Sequence, residues 1–138
     1  MTVIKISNES GFEVSRYADE DIYEISASVK HSEKYLEKGF NWNISDNCIV
    51  IGQNGLAFVG TGLFVDIERG YEIEIRQICH KLTKRGLLVC HDYVNCNHSG
   101  EMYIIIQNIL DEPLIISDGE VIAQICGHKT PTVDICFN

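Results

Sequence analysis

Cysteine and histidine side chains are concentrated in the second half of the sequence, and metal binding is the first chemistry to test. The set comprises Cys79, His80, Cys90, His91, Cys96, His98, Cys126 and His128. Structural zinc sites usually contain Cys-x₂₋₄-Cys knuckles, and no cysteine pair here has that spacing. We therefore assign no metal site, with Cys96 and His98 as the best candidates if a metal binds. In the alternative, Cys90 and Cys126 point from strands into the core as small apolar groups.

The same residues are poor candidates for a cysteine nucleophile. A reactive thiolate needs an imidazole within hydrogen-bond reach and usually a third group that orients the imidazole. Neighbouring side chains on an extended strand point to opposite faces, so neither Cys79 with His80 nor Cys90 with His91 forms such a pair.

A basic cluster stands out in an acidic chain. The sequence has 20 acidic and 11 basic side chains, a formal net charge of −9. Such a surface repels phosphate backbones and anionic lipid, so we predict neither non-specific nucleic-acid binding nor membrane binding. The basic cluster consists of Arg76, Lys81, Lys84 and Arg85. It is interpreted either as a binding site for a phosphate-like anion or as a solvated turn.

Short β-strands are the elements that must position these residues. Apolar runs alternate with turn signals from about residue 48 onward, without long helices between them, which favours a closed all-β sandwich or barrel. The predicted strands cover residues 3–7, 48–51, 63–67, 72–76, 87–90, 102–107, 114–116 and 121–126. Turns are predicted at Asn54-Gly55 and Gly60-Thr61-Gly62, among others. Only residues 29–38 have the pattern of a short helix.

Length and composition predict a single domain. The 138 residues are 45% hydrophobic and 22% charged, which excludes a disordered chain. We divide the domain into a variable part (1–38), with an acidic stretch at residues 19–21 interpreted as a solvated loop, and a regular part (39–138). No segment reaches the ~18 apolar residues of a membrane helix. The N-terminus does not have the pattern of a signal peptide, so we expect a cytoplasmic protein with its six cysteines as thiols.

Several short segments follow one another in an order and at spacings that match those of a known protein family. They are Gly60-Thr61-Gly62-Leu63, Gly70-Tyr71-Glu72-Ile73, Ile75-Arg76, Gly100-Glu101, Asn108, Asp111-Glu112-Pro113 and the run from Asp118 to Gln124. From Gly39 onward the chain resembles the trimeric dUTPases, which split dUTP into dUMP and pyrophosphate. The resemblance implies a dUTPase-like distorted jelly-roll or β-barrel over residues 1–138. It also implies a homotrimer in which a C-terminal strand, beginning after Pro131, is exchanged between subunits.

The resemblance further implies that the family's catalytic positions are degenerate here. Asn41 stands where the family has a supporting aspartate, and Cys79 where it has a phosphate-binding serine. Asn95 replaces the aspartate that activates water, and His98 replaces a tyrosine that packs against the sugar. Because an amide cannot take a proton from water near pH 7, no catalytic residue is assigned. The glycine-rich fifth motif is expected to be absent.

The candidate ligand-binding residues combine the basic cluster, which lies where the family's second motif meets triphosphate, with one residue each from segments that resemble the third and fourth motifs. They are Arg76, Lys81, Lys84, Arg85, Gly100 and Gln124. No cofactor is expected, except Mg²⁺ if a nucleoside triphosphate binds. The related dCTP deaminases are excluded because their catalytic glutamate falls at Ile105, which cannot transfer protons.

The predicted function is therefore that of a dUTPase-like pseudoenzyme that acts by binding. Its ligand would be a protein partner or a nucleotide-type molecule, as in a regulator or counter-defence factor encoded by a phage or mobile element. The alternative is a divergent active dUTP nucleotidohydrolase with Glu101 or Asp92 as its base. A third possibility is a metal-stabilised interaction module.

Overall fold

Two antiparallel β-sheets form the molecule in a computed structural model that describes residues 3–16 and 21–138. The strands are β1 (Ile4–Asn8), β2 (Ser15–Arg16), β3 (Ile22–Ser26), β4 (Phe40–Ser45), β5 (Cys48–Ile67), β6 (Tyr71–Arg76), β7 (Leu87–Val89), β8 (Asp92–Asn95), β9 (Gly100–Asn108), β10 (Leu114–Ser117) and β11 (Val121–Lys129). The described residues also form α1 (Val29–Ser32), a 3₁₀ turn over Glu33–Tyr35, and α2 (Cys79–Arg85). One sheet has the order β1-β5-β9-β7, with β4 and β10 also paired to β5, and the other has the order β2-β3-β11-β6-β8.

The core lies between the inner faces of these two sheets. Alternate side chains of the strands point inward and are buried, among them Ile25, Ile75, Ile104, Ile106 and Ile116. In the described part of the chain the two sheets share no strand. The prediction of an all-β, jelly-roll-like domain is confirmed, whereas a closed barrel is not what forms.

The 20-residue strand β5 joins most of the first sheet. It pairs with β1 and β9 along its second half and with β4 and β10 along its first half. The prediction of two strands separated by turns at Asn54-Gly55 and Gly60-Thr61-Gly62 is therefore wrong, because these residues bend one continuous strand. The register with β9 shifts between Gly60 and Leu63. Gly60 is required there, since a Cβ atom would lie 2.1 Å from the His31 carbonyl oxygen.

The helices differ from the sequence prediction in length and number. The helix expected over residues 29–38 is present as α1 followed by the 3₁₀ turn. In contrast, α2 was not predicted, and it places Cys79 and His80 on a helix rather than on a strand. It ends at Gly86, whose backbone has a φ of +69°. None of the described helices is long and apolar enough to span a membrane.

The C-terminal end of the chain lies outside the sheets, and the acidic stretch is only partly described. Of the acidic stretch, residues 19 and 20 are outside the described residues, while Asp21 forms an exposed ion pair of 2.7 Å with Arg16. Residues 130–138 have no regular secondary structure. Within them Val133, Ile135 and Phe137 are 72%, 75% and 91% exposed. This period of two is the pattern of a half-buried strand, although the segment pairs with no strand of its own chain in the described structure.

Candidate functional site

A small notch of about 100 Å³ collects two of the predicted site residues. Asn95 is the last residue of β8, and His98 follows it after a tight turn. Both line the notch together with Asp92, Tyr93 and Tyr103. The backbone N–H of His98 donates to the Asn95 carbonyl oxygen at 3.0 Å, which closes the turn. The structure therefore brings Asn95 and His98 together, and we call this site the Asn95 notch.

The side chains of the Asn95 notch are held in fixed orientations. Asn95 Oδ1 accepts the backbone N–H of Asn97 at 3.0 Å. His98 Nε2 lies 2.9 Å from the Glu101 carbonyl oxygen. Asp92 contributes the one carboxylate among the lining residues, and it accepts the backbone N–H of Tyr93 at 2.8 Å. Amide, imidazole and phenol groups suit hydrogen bonding to a ligand, whereas a neutral amide cannot deprotonate water.

Two members of the basic cluster bind a carboxylate of the protein itself. Lys81 Nζ lies 3.3 Å from Glu120 Oε2, and Arg85 contacts both carboxylate oxygens at 3.0–3.2 Å. Arg85 also donates to the Ile115 carbonyl oxygen at 2.5 Å. Burial favours a higher pKa for Glu120, but the hydrogen bonds from Arg85 and the Ser117 backbone, with the charges of Arg85 and Lys81, hold that pKa below its ordinary value. The single carboxylate of Glu120 therefore balances one of these two positive charges and holds both cations in place within the fold.

The remaining candidate ligand residues make fewer or longer contacts with carboxylates of the protein. Arg76 Nε lies 3.5 Å from Glu74 Oε1. Gln124 on β11 is paired in register with Arg76 on β6. Lys84 is exposed on α2, and no ion pair within residues 3–16 and 21–138 involves it. Gly100 opens β9 with a φ of +102°, a conformation that favours glycine.

Asn95 and the predicted phosphate-binding residues Arg76 and Gln124 lie apart within one chain, although the notch itself extends along β6 as far as Ile75. Asn95 is paired with Glu72 at one end of β6, and Gln124 is paired with Arg76 at the other end. Four residues of strand separate these pairs by ~13 Å. A single chain therefore does not assemble one site from all the predicted positions.

Asn41 and Cys79 are not parts of the notch. Asn41 lies where the β4–β5 register shifts, with a φ of +55° that asparagine tolerates. Its Nδ2 donates to the Gln53 carbonyl oxygen at 3.0 Å, so its side chain supports strand pairing. Cys79 is exposed at the first position of α2.

Glu101 is buried and fully engaged. Its carboxylate accepts the Tyr35 hydroxyl at 2.5 Å and the Gly62 backbone N–H at 2.8 Å, and it pairs with Lys34 at 2.7 Å. Burial and the hydrogen bond to Glu101 raise the pKa of Tyr35. These contacts give Glu101 the role of joining the 3₁₀ turn to β5 and β9, and they leave it poorly placed to act as a base.

A second cluster joins β6 and β11, and the sequence analysis did not assign it. Glu74 is paired in register with Cys126, and His128 lies two residues further on the same face of β11. His128 Nε2 is 2.7 Å from Glu74 Oε1 and 3.2 Å from Cys126 Sγ, which is 3.4 Å from the same carboxylate oxygen. His91 Nε2 is 2.9 Å from the other oxygen, Glu74 Oε2. We call Glu74, Cys126 and His128 the β6–β11 cluster.

The β6–β11 cluster changes the acidity of its members. The hydrogen bond from His128 is the main cause that lowers the pKa of Glu74. Burial is the main cause that raises the pKa of the Cys126 thiol. Among the described residues this is the one group of three potential metal ligands within 4.8 Å, and it contains neither Cys96 nor His98. The spacing Cys126-x-His128 was the available signal, because residues i and i+2 share a face of a strand.

A larger cavity of about 510 Å³ opens between β1, β3 and β11, away from the Asn95 notch. Its lining is mainly apolar and includes Ile4, Ile6, Val14, Leu63, Ile73 and Ile125. None of the predicted site residues lines it, and its apolar walls do not suit a phosphate group.

Comparisons with known proteins connect this fold to an enzyme family. No family model matches the chain. The deoxyuridine 5′-triphosphate nucleotidohydrolase of Chlamydia muridarum is 33% identical over 94 residues, which cover 66% of this chain and 63% of the relative. That of Hydrogenobaculum sp. is 33% identical over 81 residues, covering 57% of this chain and 56% of the relative. That of Finegoldia magna is 28% identical over 133 residues, which cover 95% of this chain and 83% of the relative.

The matches to curated dUTPases and to phage dUTPase structures support a dUTPase-family assignment for this chain. The chain spans somewhat more than half the length of the first two dUTPases named above. Solved structures share the fold: a dUTPase from phage phi11 of S. aureus gives a TM-score of 0.75 at 13% identity, covering 99% of this chain and 97% of that one. The structure of the Staphylococcus bacteriophage 80alpha dUTPase with dUPNHPP gives a TM-score of 0.76 at 14% identity, covering 100% of this chain and 89% of that one. The phi11 protein is described as coordinating a structural Mg(II) ion.

Proposed function

We propose that this dUTPase-family chain has lost dUTP hydrolysis and acts by binding. The observation that carries the proposal is Asn95 in the notch that it shares with His98. The family resemblance gives the Asn95 position to the water-activating aspartate, and an amide has no proton-accepting group near pH 7. The notch keeps hydrogen-bonding groups and lacks the base at that position.

The phosphate side of the site supports the same proposal. Arg85 and Lys81 are bound to Glu120, and Arg76 lies near Glu74. Catalysis of phosphoryl chemistry depends strongly on preorganised positive groups that face the phosphates. Cations that are paired with and oriented toward carboxylates of the protein supply less of that stabilisation, so the contacts favour a protein partner over a triphosphate as the ligand.

The comparison structures fit a regulatory role. The Staphylococcus bacteriophage 80alpha dUTPase is described as controlling transfer of virulence genes by a proto-oncogenic G protein-like mechanism. A dUTPase fold can therefore serve regulation in a phage. We propose the same class of role here, as a regulator or counter-defence factor of a phage or mobile element. It would work in the cytoplasm as a homotrimer, and Mg²⁺ would bind only together with a nucleoside triphosphate.

Release of pyrophosphate from dUTP with Mg²⁺ tests the loss of hydrolysis. We expect turnover at background, far below the typical enzyme range of ~1–10³ s⁻¹. Calorimetry with the non-hydrolysable analogue dUpNHpp, run on the same preparation, separates loss of catalysis from loss of binding. Turnover within the enzyme range that scales with protein concentration would contradict the proposal.

A divergent active hydrolase is the second candidate, and the position of Asp92 in the Asn95 notch is the observation that favours it. If Asp92 were the base, Asp92→Asn would lower the measured turnover by ~10²–10⁴-fold. Asp111→Asn is the matched control, because Asp111 is exposed and does not line the notch. Turnover that is lost in Asp92→Asn and kept in Asp111→Asn would establish the hydrolase.

A further inference from the structure

Three different metal-ligating side chains converge on one point between β6 and β11. We propose that Glu74, Cys126 and His128 bind a divalent transition-metal ion of the zinc class. Thiolate, imidazole and carboxylate are the donors that zinc prefers in proteins. The site is distinct from the Asn95 notch, since none of the three residues lines that notch.

The separations between the donor atoms fit tetrahedral coordination. With metal–ligand bonds of about 2.0–2.3 Å, neighbouring donor atoms in a tetrahedron stand about 3.3–3.6 Å apart. Cys126 Sγ is 3.2 Å from His128 Nε2 and 3.4 Å from Glu74 Oε1. The 2.7 Å contact between His128 Nε2 and Glu74 Oε1 is a hydrogen bond that a metal would replace, with the two atoms moving apart by about 0.6 Å.

The same geometry argues against a nucleophilic cysteine. In a catalytic triad the imidazole uses one ring nitrogen toward the nucleophile and the other toward the orienting carboxylate. Here a single atom, His128 Nε2, contacts both Cys126 Sγ and Glu74 Oε1. Three donor atoms that all face one another form a coordination set rather than a proton relay.

The surroundings of the β6–β11 cluster allow an ion to enter. The His128 side chain is 43% exposed, whereas that of Glu74 is 12% exposed. A cation therefore reaches His128 from solvent and meets the carboxylate and thiol beneath it. Apart from His91 and His128, Arg76 is the basic side chain paired with Glu74 among the described residues, and its distance of 3.5 Å lies at the long end of ion-pair distances. The neighbouring Glu72, which is paired in register with His128, adds negative charge.

His91 completes the site as a positioning residue. Its Nε2 lies 2.9 Å from Glu74 Oε2, the carboxylate oxygen that does not face Cys126 and His128. Outer partners of this kind hold a ligating carboxylate in orientation, and their loss typically weakens metal binding 10–100-fold.

The test measures zinc bound by the full, tag-free chain. The chain is stripped with a chelator, reloaded with zinc, dialysed and examined by elemental analysis, and its affinity is measured by competition with a chromophoric chelator. Cobalt(II) serves as a spectroscopic probe, because a thiolate ligand adds a charge-transfer absorption. The variants are Cys126→Ser and His128→Ala, and the matched control is Cys96→Ser, which removes an exposed thiol outside the cluster.

We expect about one zinc per chain in the wild type and in Cys96→Ser. Cys126→Ser and His128→Ala should bind zinc at least 10-fold more weakly, and Cys126→Ser should lose the cobalt–thiolate absorption. Absence of zinc from the reloaded wild type, or unchanged affinity in His128→Ala, overturns the proposal. His128 is exposed, so His128→Ala decides the question even if the buried Cys126→Ser variant does not fold.

Discussion

At the scale of single residues, Asn95 shows how one atom type limits what a well-formed notch can do. Its Oδ1 is fixed by the Asn97 backbone N–H, and its neighbours in the notch are polar and oriented. Replacing the amide by a carboxylate would keep this hydrogen bond and add a group that can accept a proton. The Asn95→Asp variant is therefore a conservative way to ask what else is needed for catalysis.

We predict that Asn95→Asp gains less than ~10-fold in dUTP turnover, although a missing base alone is worth ~10²–10⁴-fold. The reason is that Arg85 and Lys81 remain bound to Glu120, so phosphate stabilisation is not restored with the base. Pyrophosphate release is the measurement. Asn97→Asp is the control, because it adds the same charge two residues further along the same turn. A gain of 10² or more in Asn95→Asp alone would show that the remaining machinery is intact.

The proximity of two site residues could be predicted where the residues are close together in the sequence. Asn95 and His98 share a tight turn, so their spacing in the chain fixed their proximity in space. That they belong to a functional site stays a prediction. The β6–β11 cluster could not be predicted in this way. It depends on the register that pairs Glu74 with Cys126, two residues that are far apart in the sequence. Alternation along β11 shows only that Cys126 and His128 share a face.

At the scale of elements, Glu120 connects α2 to the turn between β10 and β11. Lys81 and Arg85 both reach it from α2, and Glu120 Oε1 also accepts the Ser117 backbone N–H at 3.3 Å. The pKa of Glu120 lies below its ordinary value of 4.5 because these contacts outweigh its burial. A lowered folded-state pKa means that the carboxylate stabilises the fold above pH ~4.5 and that this contribution is lost as the pH falls through the folded-state pKa.

We predict that Glu120→Gln lowers the free energy of unfolding at pH 7 by about 1–3 kcal/mol, the range for a hydrogen-bonded charge that loses its partners. The difference between wild type and variant should shrink as the pH falls below about 4.5, where Glu120 of the unfolded chain becomes protonated, and should vanish once the pH has passed the lower folded-state pKa. Urea unfolding at several pH values is the measurement, and Glu112→Gln at an exposed position is the control. A difference that stays constant from pH 7 to pH 3 would contradict the ionic origin of the effect.

The elements also show where sequence patterns mislead. Glycine signals predicted turns inside β5, but Gly60 is glycine because the His31 carbonyl packs against it and not because the chain reverses there. The helix α2 was missed because it has only seven residues, too few for a clear helical period. In contrast, β9 and β11 contain apolar runs between polar turns, and their positions were predicted to within a few residues.

At the scale of the whole molecule, two features of the single chain are those expected of a subunit in a larger assembly. Asn95 and the Arg76–Gln124 pair lie at opposite ends of β6. The C-terminal residues Val133, Ile135 and Phe137 expose apolar side chains in a strand-like alternation. Both features are what a subunit of a trimer with shared sites and exchanged strands would show, as the family resemblance implies.

We predict a mass in solution near three times 15.6 kDa. Multi-angle light scattering at micromolar concentration and physiological salt is the measurement. Because apolar side chains of an exchanged strand would be buried against a neighbour, combined replacement of Val133, Ile135 and Phe137 by serine should shift the mass to that of one chain. The control carries Thr132→Ser and Asp134→Asn, which lie on the alternate face of the same segment. A wild-type monomer, or a serine variant that keeps the trimer mass, would contradict the prediction.

The strand β5 has a consequence for how the protein is made. The strands β1, β4, β9 and β10 all complete their hydrogen bonds on it, and two of them follow it in the chain by tens of residues. During synthesis β5 therefore emerges before β9 and β10 exist, and the backbone N–H and C=O groups that will pair with these strands have no partner. Unpaired strand edges of this kind associate with other chains. The nascent protein is thus most vulnerable to aggregation in the interval between the appearance of Ile67 and that of Ser117, and rapid translation of that segment would protect it.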